Sequence, residues 1–374
     1  MKSGRIYSFG VVSLTILAIA FSGCAGKAKK VVQQPSQIEK PAVEAEKPAS
    51  AVEKPPAVSE KPAVVTEKPA PAVEKQEAVE TPVTTAKNVP MVLKFTPGDT
   101  AKYKVVMEGQ RKVKWEGAVP DKPSFQSGEN VSKAEITFTQ KIQSVTTDGN
   151  AVALITIDWL KYAASIKETK VLDFDSSRAE DANAPMARLI GQSYTIEITP
   201  SSEVAKVIDV NSAEAAIKGD SPAQKAAMKL LEAEVIKDRH GTLCLPADKT
   251  QLNAGENWKN VKTFSFGWMG PVTYERIYTL EGVDGHKATI EMKAVPATEL
   301  NNQLTSRIAK GFDHKGKYWG ELQFDTASGH IVRYSETLEE EWLAAKPSEE
   351  KETEGEPTAL TMSAKRFYSI EKIE

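Results

Sequence analysis

The chain has 374 residues, a formal net charge of −3, and 48 basic against 51 acidic side chains. So even a balance leaves no electrostatic footprint for nucleic acid, which is excluded as a partner. Two cysteines are too few for a disulfide-built scaffold, and four scattered histidines lack metal-ligand spacing, so no metal or other cofactor is expected.

Lys2 and Arg5 open the chain, and residues 6–21 carry no charge. This apolar run is shorter than the ~20 residues a membrane span needs. It ends at Ser22-Gly23-Cys24, which gives a secretory signal with a cysteine at its cleavage point. Phe21-Ser22-Gly23-Cys24 resembles the lipobox of bacterial lipoproteins. The resemblance implies that residues 1–23 are removed by a cut between Gly23 and Cys24. It also implies a diacylglycerol thioether and an N-acyl chain on Cys24. Two or more chains anchor stably, at about 0.8 kcal/mol per buried CH₂. The membrane is therefore an expected partner through Cys24. Ala25, which is not acidic, implies outer-membrane sorting, with the remainder of the chain in the periplasm.

Residues 24–90 change character to Ala, Val, Pro, Glu and Lys, without an aromatic residue. Glu-Lys recurs every seven residues, from Glu39-Lys40 to Glu74-Lys75. A seven-residue period suits a coiled coil, but Pro41, Pro48, Pro55, Pro62 and Pro69 hold the same phase, and each costs a helix interior about 3 kcal/mol. The pattern predicts a disordered, polyproline-II-biased tether. At ~3.1 Å per residue it reaches about 200 Å when fully extended. Such a tether lifts a domain off the membrane or threads it through peptidoglycan toward an envelope protein.

Residues 91–374 are enough for one large domain or two small ones. Period-two alternation at 102–107, 134–142, 193–199, 273–280 and 287–292 predicts antiparallel strands with one buried face. Asp148-Gly149-Asn150, Asp284-Gly285 and the segment 325–329 supply turns. Asp220-Ser221 and Pro222 start a helix that runs to about Asp238, and a shorter one is expected at 184–190. The hairpin 138–157 and the strand holding Phe174-Asp175 echo the hairpin 274–295 and the strand holding Phe324-Asp325. The expected fold is mainly β (α+β): a long antiparallel sheet, curved or half-barrel-like, with one or two covering helices.

An ordered set of motifs resembles a family of uncharacterised bacterial envelope lipoproteins defined only by a domain of unknown function. The set opens with Leu93-Lys94-Phe95-Thr96-Pro97-Gly98-Asp99, and continues with Phe174-Asp175-Ser176-Ser177, Leu189-Ile190-Gly191-Gln192 and Glu203-Val204. It closes with Leu245-Pro246, Gly255-Glu256-Asn257-Trp258 and Gly320-Glu321-Leu322-Gln323-Phe324-Asp325. This chain departs at Ser201-Ser202, where a glycine is expected, and carries an apparent insertion at 346–357. The family implies no catalytic residues. More distantly, a helix-covered single sheet is similar to periplasmic lipoprotein carriers, whose half-barrels hold acyl chains.

No P-loop, Rossmann glycine pattern, nucleophile elbow or His-Glu-x-x-His motif occurs. Cys244 follows Arg239-His240 and reads as a small buried residue; a Cys–His nucleophile is the other reading. His240, His286, His314 and His330 read as loop residues. Asp173 and Asp175 share one strand face, as the wet side of an edge strand or as an acid–base or calcium pair. Arg111-Lys112-Val113-Lys114-Trp115 reads as an edge strand, with a headgroup or anionic glycan as the alternative contact. Trp115, Trp159, Trp258, Trp268, Trp319 and Trp342 read as core and hairpin packing, and the acidic segment 348–354 as a solvated loop. The expected function is non-enzymatic binding of a lipid or other hydrophobic small molecule. A structural spacer and a hydrolase are the alternatives.

Overall fold

Long hairpins build the structure, a computed structural model that describes residues 86–117, 125–241, 245–297, 311–345 and 357–374. Gly23, Cys24, the repeat tether up to residue 85, Cys244 and the acidic segment therefore lie outside the described residues. The strands are β1 Val89–Pro90, β2 Thr100–Gly117, β3 Gly128–Val145, β4 Ala151–Ile166, β5 Thr169–Asp175, β6 Ser193–Ile198, β7 Val204–Asp209, β8 Gln251–Leu252, β9 Asn257–Ser265, β10 Pro271–Asp284, β11 Lys287–Pro296, β12 Asp313–Asp325, β13 His330–Ala345 and β14 Pro357–Lys372. Three α-helices, α1 Asn211–Ile217, α2 Pro222–Leu231 and α3 Ala233–His240, separate β7 from β8.

Twelve strands form one antiparallel sheet in the order β7-β6-β4-β3-β2-β14-β13-β12-β11-β10-β9, with β5 extending β4. It is curved and does not close. The alternation seen in the sequence places one continuous set of side chains on the buried face. Ile136, Val105, Ile370, Tyr334, Leu322, Ile290 and Leu280 run across seven strands in register. A register shift where Thr137 pairs with Trp159 but Phe138 pairs with Ile157 turns Trp159 to the opposite face and lets Leu160 rejoin the buried row.

The first and last long strands, β2 and β14, are neighbours at the middle of the sheet. The Arg111–Trp115 run is therefore in a central strand and not at an edge. Its lysines face solvent and the alternate residues Arg111, Val113 and Trp115 face inward. A single strand cannot reveal this, because its two neighbours come from the far end of the chain. The arrangement leaves β7 and β9 as edges, so the chain must cross the sheet between them, and α1 to α3 form that crossing.

The helical segment differs from the expected single helix. Ser221 caps α2 through a reciprocal capping box with Gln224. At Glu232 the backbone then turns extended, φ −57° and ψ 135°. A straight helix would carry Ile236 to the side opposite Ala227 and Leu231. The break lets all three be buried. The expected short helix near 184–190 is a 3-10 helix, Pro185–Leu189, whose Met186 and Leu189 are buried.

A strap crosses one end of the sheet. Leu93 N–H donates to Pro200 O at 2.9 Å and Lys94 N–H to Gly329 O at 3.1 Å, tying the β6–β7 turn to the β12–β13 turn. Lys94 Nζ adds donations to Thr326 O and Ala327 O at 3.2 and 2.8 Å. Gly329 has φ +67°, and a Cβ there would lie 2.5 Å from Lys94 Cγ. The first family-like motif is thus a clasp between hairpins. The departure at Ser202 also has a physical reading: its φ is +69°, where a glycine is favoured.

Candidate binding face

The half of the sheet from β9 to β14 rolls tightly, and charged side chains fill its interior. Lys262 on β9 reaches Glu336 on β13 at 3.4 Å, and Arg366 on β14 donates to Ser265 O on β9 at 3.4 Å. At ~4.8 Å per strand, those pairs would be about 19 and 24 Å apart in a flat sheet. Phe264 meets Tyr318 at 5.2 Å across the same gap. The roll is held by side chains where ladder hydrogen bonds are absent among the described residues.

Glu336 is the hub. It accepts from Tyr334 Oη at 2.7 Å and from Tyr318 Oη, with Arg276 Nη1 at 3.6 Å. Burial alone would raise its pKa, but Lys262, Arg276 and the two tyrosine hydroxyls outweigh that and hold the carboxyl below its ordinary range. Burial pushes Tyr318 and Tyr334 well up, and the Glu336 charge adds to it. Glu340, four residues further along and on the same face, accepts from Tyr274 Oη at 2.7 Å and sits 2.5 Å from His314 Nε2.

Under the other half, α3 inserts its last turn between the strands. Arg239 is fully buried; its Nη2 donates to Leu230 O and its guanidinium lies 5.7 Å from the Tyr194 ring. His240 contacts Tyr194 Oη at 2.7 Å and packs edge-on to Phe138 at 4.8 Å. Burial, reinforced by Arg239, drives the His240 pKa well below its ordinary value. Tyr368 Oη donates to Arg239 O at 2.6 Å, which fixes this turn to β14.

Two small cavities lie among the described residues of the interior. A cavity of about 50 Å³ lies beside His240, Tyr103 and Ile370, and one of about 20 Å³ beside Glu336, Arg366 and Asp238. Both are of water size, well below the ~300 Å³ at which ligand pockets begin. On β2 to β5 the inner face is less buried toward one end, while Ala364, Met362 and Leu360 on the neighbouring β14 stay buried. Above Met107 and Ala134, which are 2% and 4% exposed, the inward residues Arg111, Val113, Trp115, Ser132, Tyr162, Ala164 and Leu172 are only half-buried. Trp115 Nε1 donates to Phe125 O at 2.9 Å, and Phe125 meets Phe312 edge-on at 6.5 Å at the rim. This less buried strip of the inner face is the candidate site.

The sequence-predicted residues are dispersed. Asp173 takes bonds from Lys170 and Arg178, and Asp175 from Ser177, with Lys161 at 3.6 Å; these interactions lower both pKa values. They belong to β5, a strand paired only with β4. His286, His314 and His330 lie on separate turns and strands, and no group of three or more potential metal ligands occurs among the described residues. Trp258 stacks on Tyr278 at 5.2 Å, and Trp342 is buried against His314 at 5.2 Å and Phe266 at 5.0 Å. Trp159 and Trp319 lie on the opposite face beneath Lys104 and Lys317. The sequence reading missed the Glu336 network, although its signal was present. Tyr334, Glu336, Leu338, Glu340 and Trp342 share one phase of the alternation, so two carboxylates stand where apolar residues are expected.

Over residues 148–331 the chain is similar to a family of unknown function (DUF6263). That span includes the motifs at Phe174-Asp175, Leu189-Ile190, Gly255-Glu256 and Phe324-Asp325, and leaves out the strap. No curated protein matches the chain. Among solved structures, one described as lipid–protein interactions in lipovitellin aligns with a TM-score of 0.38 and 10% identity. It covers 75% of this chain and 26% of that one, so the chain spans about a quarter of its length. A likeness that weak carries no argument here.

Proposed function

We propose that the chain is a lipid-anchored protein of the bacterial envelope whose sheet is a non-enzymatic binding domain for a hydrophobic ligand. Cys24 in its lipobox-like setting supplies the anchor, at the outer membrane, and the proline-punctuated repeat supplies reach into the periplasm. The observation that supports binding is the less buried strip: Val113, Trp115, Tyr162, Ala164 and Leu172 share the inner face of the sheet and are half-buried. A ligand held by the inner face lies along this strip, because the two cavities lined by described residues below it are of water size.

Titration of the purified full chain with the neutral fluorophore N-phenyl-1-naphthylamine tests the reading. Saturable binding is expected, and it is lost in Ala164→Glu, which places a charge in the strip. A folded chain that never binds the probe saturably contradicts it. The anchor is tested separately. Globomycin should cause an unprocessed precursor to accumulate, and an unchanged band refutes lipidation of Cys24.

The seven-residue repeat favours a second reading, a spacer between envelope layers. Deleting repeat units should then weaken envelope integrity while Ala164→Glu leaves it intact.

A further inference from the structure

The less buried strip has a charged end. On the inner face, Gly109 pairs with Arg366 and Arg111 pairs with Ala364, so two arginines and two of the smallest residues make one diagonal square across β2 and β14. Diagonal neighbours in an antiparallel pair lie ~7–8 Å apart, close enough for two guanidiniums to converge on one anionic group.

The two arginines are held differently. Arg366 is 8% exposed, bonded to Ser265 O and stacked over Phe264 and Phe266 at 5.3 and 5.6 Å. Asp238 and Glu336 lie in its field; even so, burial, and then Arg111, bring its pKa down to about 10. The Arg111 side chain is half-buried and makes no hydrogen bond or ion pair with a described residue. Its inward neighbours on β3 are the uncharged Asn130 and Ser132. Glu340, on the next strand beyond Ala364, is already engaged by Tyr274 and His314. The base of the strip therefore has an unanswered positive charge directly below apolar side chains: Val113 with Met362, and Trp115 with Leu360.

We propose that Arg111, backed by Arg366, binds the acidic headgroup of a lipid whose hydrocarbon chain lies along Val113, Trp115, Tyr162 and Ala164. This rests on the binding-domain reading and names its ligand class. Arg111 supplies the exchangeable guanidinium.

The test titrates the purified full chain with dansylaminoundecanoic acid and with its methyl ester. The acid should bind at least about tenfold more tightly than the ester, a difference of about 1.4 kcal/mol. Arg111→Gln should abolish that preference and Arg111→Lys should restore much of it. Inorganic phosphate should displace the acid far less effectively than decanoate does. Equal binding of acid and ester overturns the headgroup assignment and leaves the binding domain standing. Equal displacement by phosphate overturns the lipid and leaves an anion site. If neither probe binds saturably, both this inference and the binding-domain reading fall.

Discussion

Lys262 on β9 and Glu336 on β13 meet at 3.4 Å although three strands separate them in the sheet. The contact exists only because the β9–β14 half rolls up, and it places a carboxylate where Tyr318, Tyr334 and Arg276 also converge. A buried ion pair adds little over a well-packed apolar pair, but breaking it leaves an uncompensated charge. The cluster therefore specifies the roll more than it stabilises it.

Glu336→Gln is expected to destabilise the fold by about 3–5 kcal/mol, because Lys262 and Arg276 lose their counter-charge inside the roll. Urea unfolding followed by tryptophan fluorescence reads this directly. A change below about 0.5 kcal/mol would show that water already screens the cluster.

Acid should weaken the protein in two windows. His240 has a depressed folded pKa, so its contribution is complete above the unfolded value of about 6.5 and is lost as pH falls below it. The slope is at most about 1.4 kcal/mol per pH unit. Half-buried His330, also depressed by burial and then by Lys372, adds in the same direction. Glu336 is depressed too, so its contribution is present above about 4.3 and is lost as pH falls through its lower folded value. Denaturant midpoints measured from pH 7 to pH 3 should fall in both windows. The upper one should shrink in His240→Gln, and an unchanged profile there counts against a buried neutral imidazole.

Besides Asn88 before β1, three non-glycine residues among the described ones have positive φ. Ser202 is at +69°, and Lys167 and Glu168, which link β4 to β5, are at +49° and +61°. The latter pair is the geometry of a two-residue hairpin turn that favours Asn-Gly. Lys167→Asn combined with Glu168→Gly, and separately Ser202→Gly, should each stabilise by about 0.5–1 kcal/mol. Thermal unfolding midpoints should rise for both, and a fall would mean that the present side chains make contacts worth more than the backbone strain.

Gly329→Ala should cost about 1–2 kcal/mol, since it strains the backbone and presses on the Lys94 clasp. Lys94→Ala in the same background should recover only the part set by Cγ and Cδ, because the Cβ that alanine keeps lies 2.8 Å from the new methyl; a double-mutant cycle separates that part.

The strands, their buried face and the three hairpin turns were legible in the sequence, because period-two alternation carries that information locally. The neighbours of β2 were not: pairing of the first and last long strands depends on closing the chain, and no pattern within residues 102–117 records it. The single helix expected over 220–238 failed at Glu232, where helical propensity continues but the phase of the apolar residues does not. The buried charges were legible in principle. Arg276 between Tyr274 and Tyr278, Arg366 between Ala364 and Tyr368, and Glu336 between Tyr334 and Leu338 each break an apolar row. What that break meant could be read only once strands four and five places apart had been brought together.

The less buried strip of the inner face is the centre of the functional account, and equilibrium titration of the full chain with N-phenyl-1-naphthylamine tests it most directly. The account predicts saturable binding of one probe per chain, abolished by Ala164→Glu in a protein whose circular dichroism is unchanged. Binding that never saturates, or that survives Ala164→Glu undiminished, would contradict it.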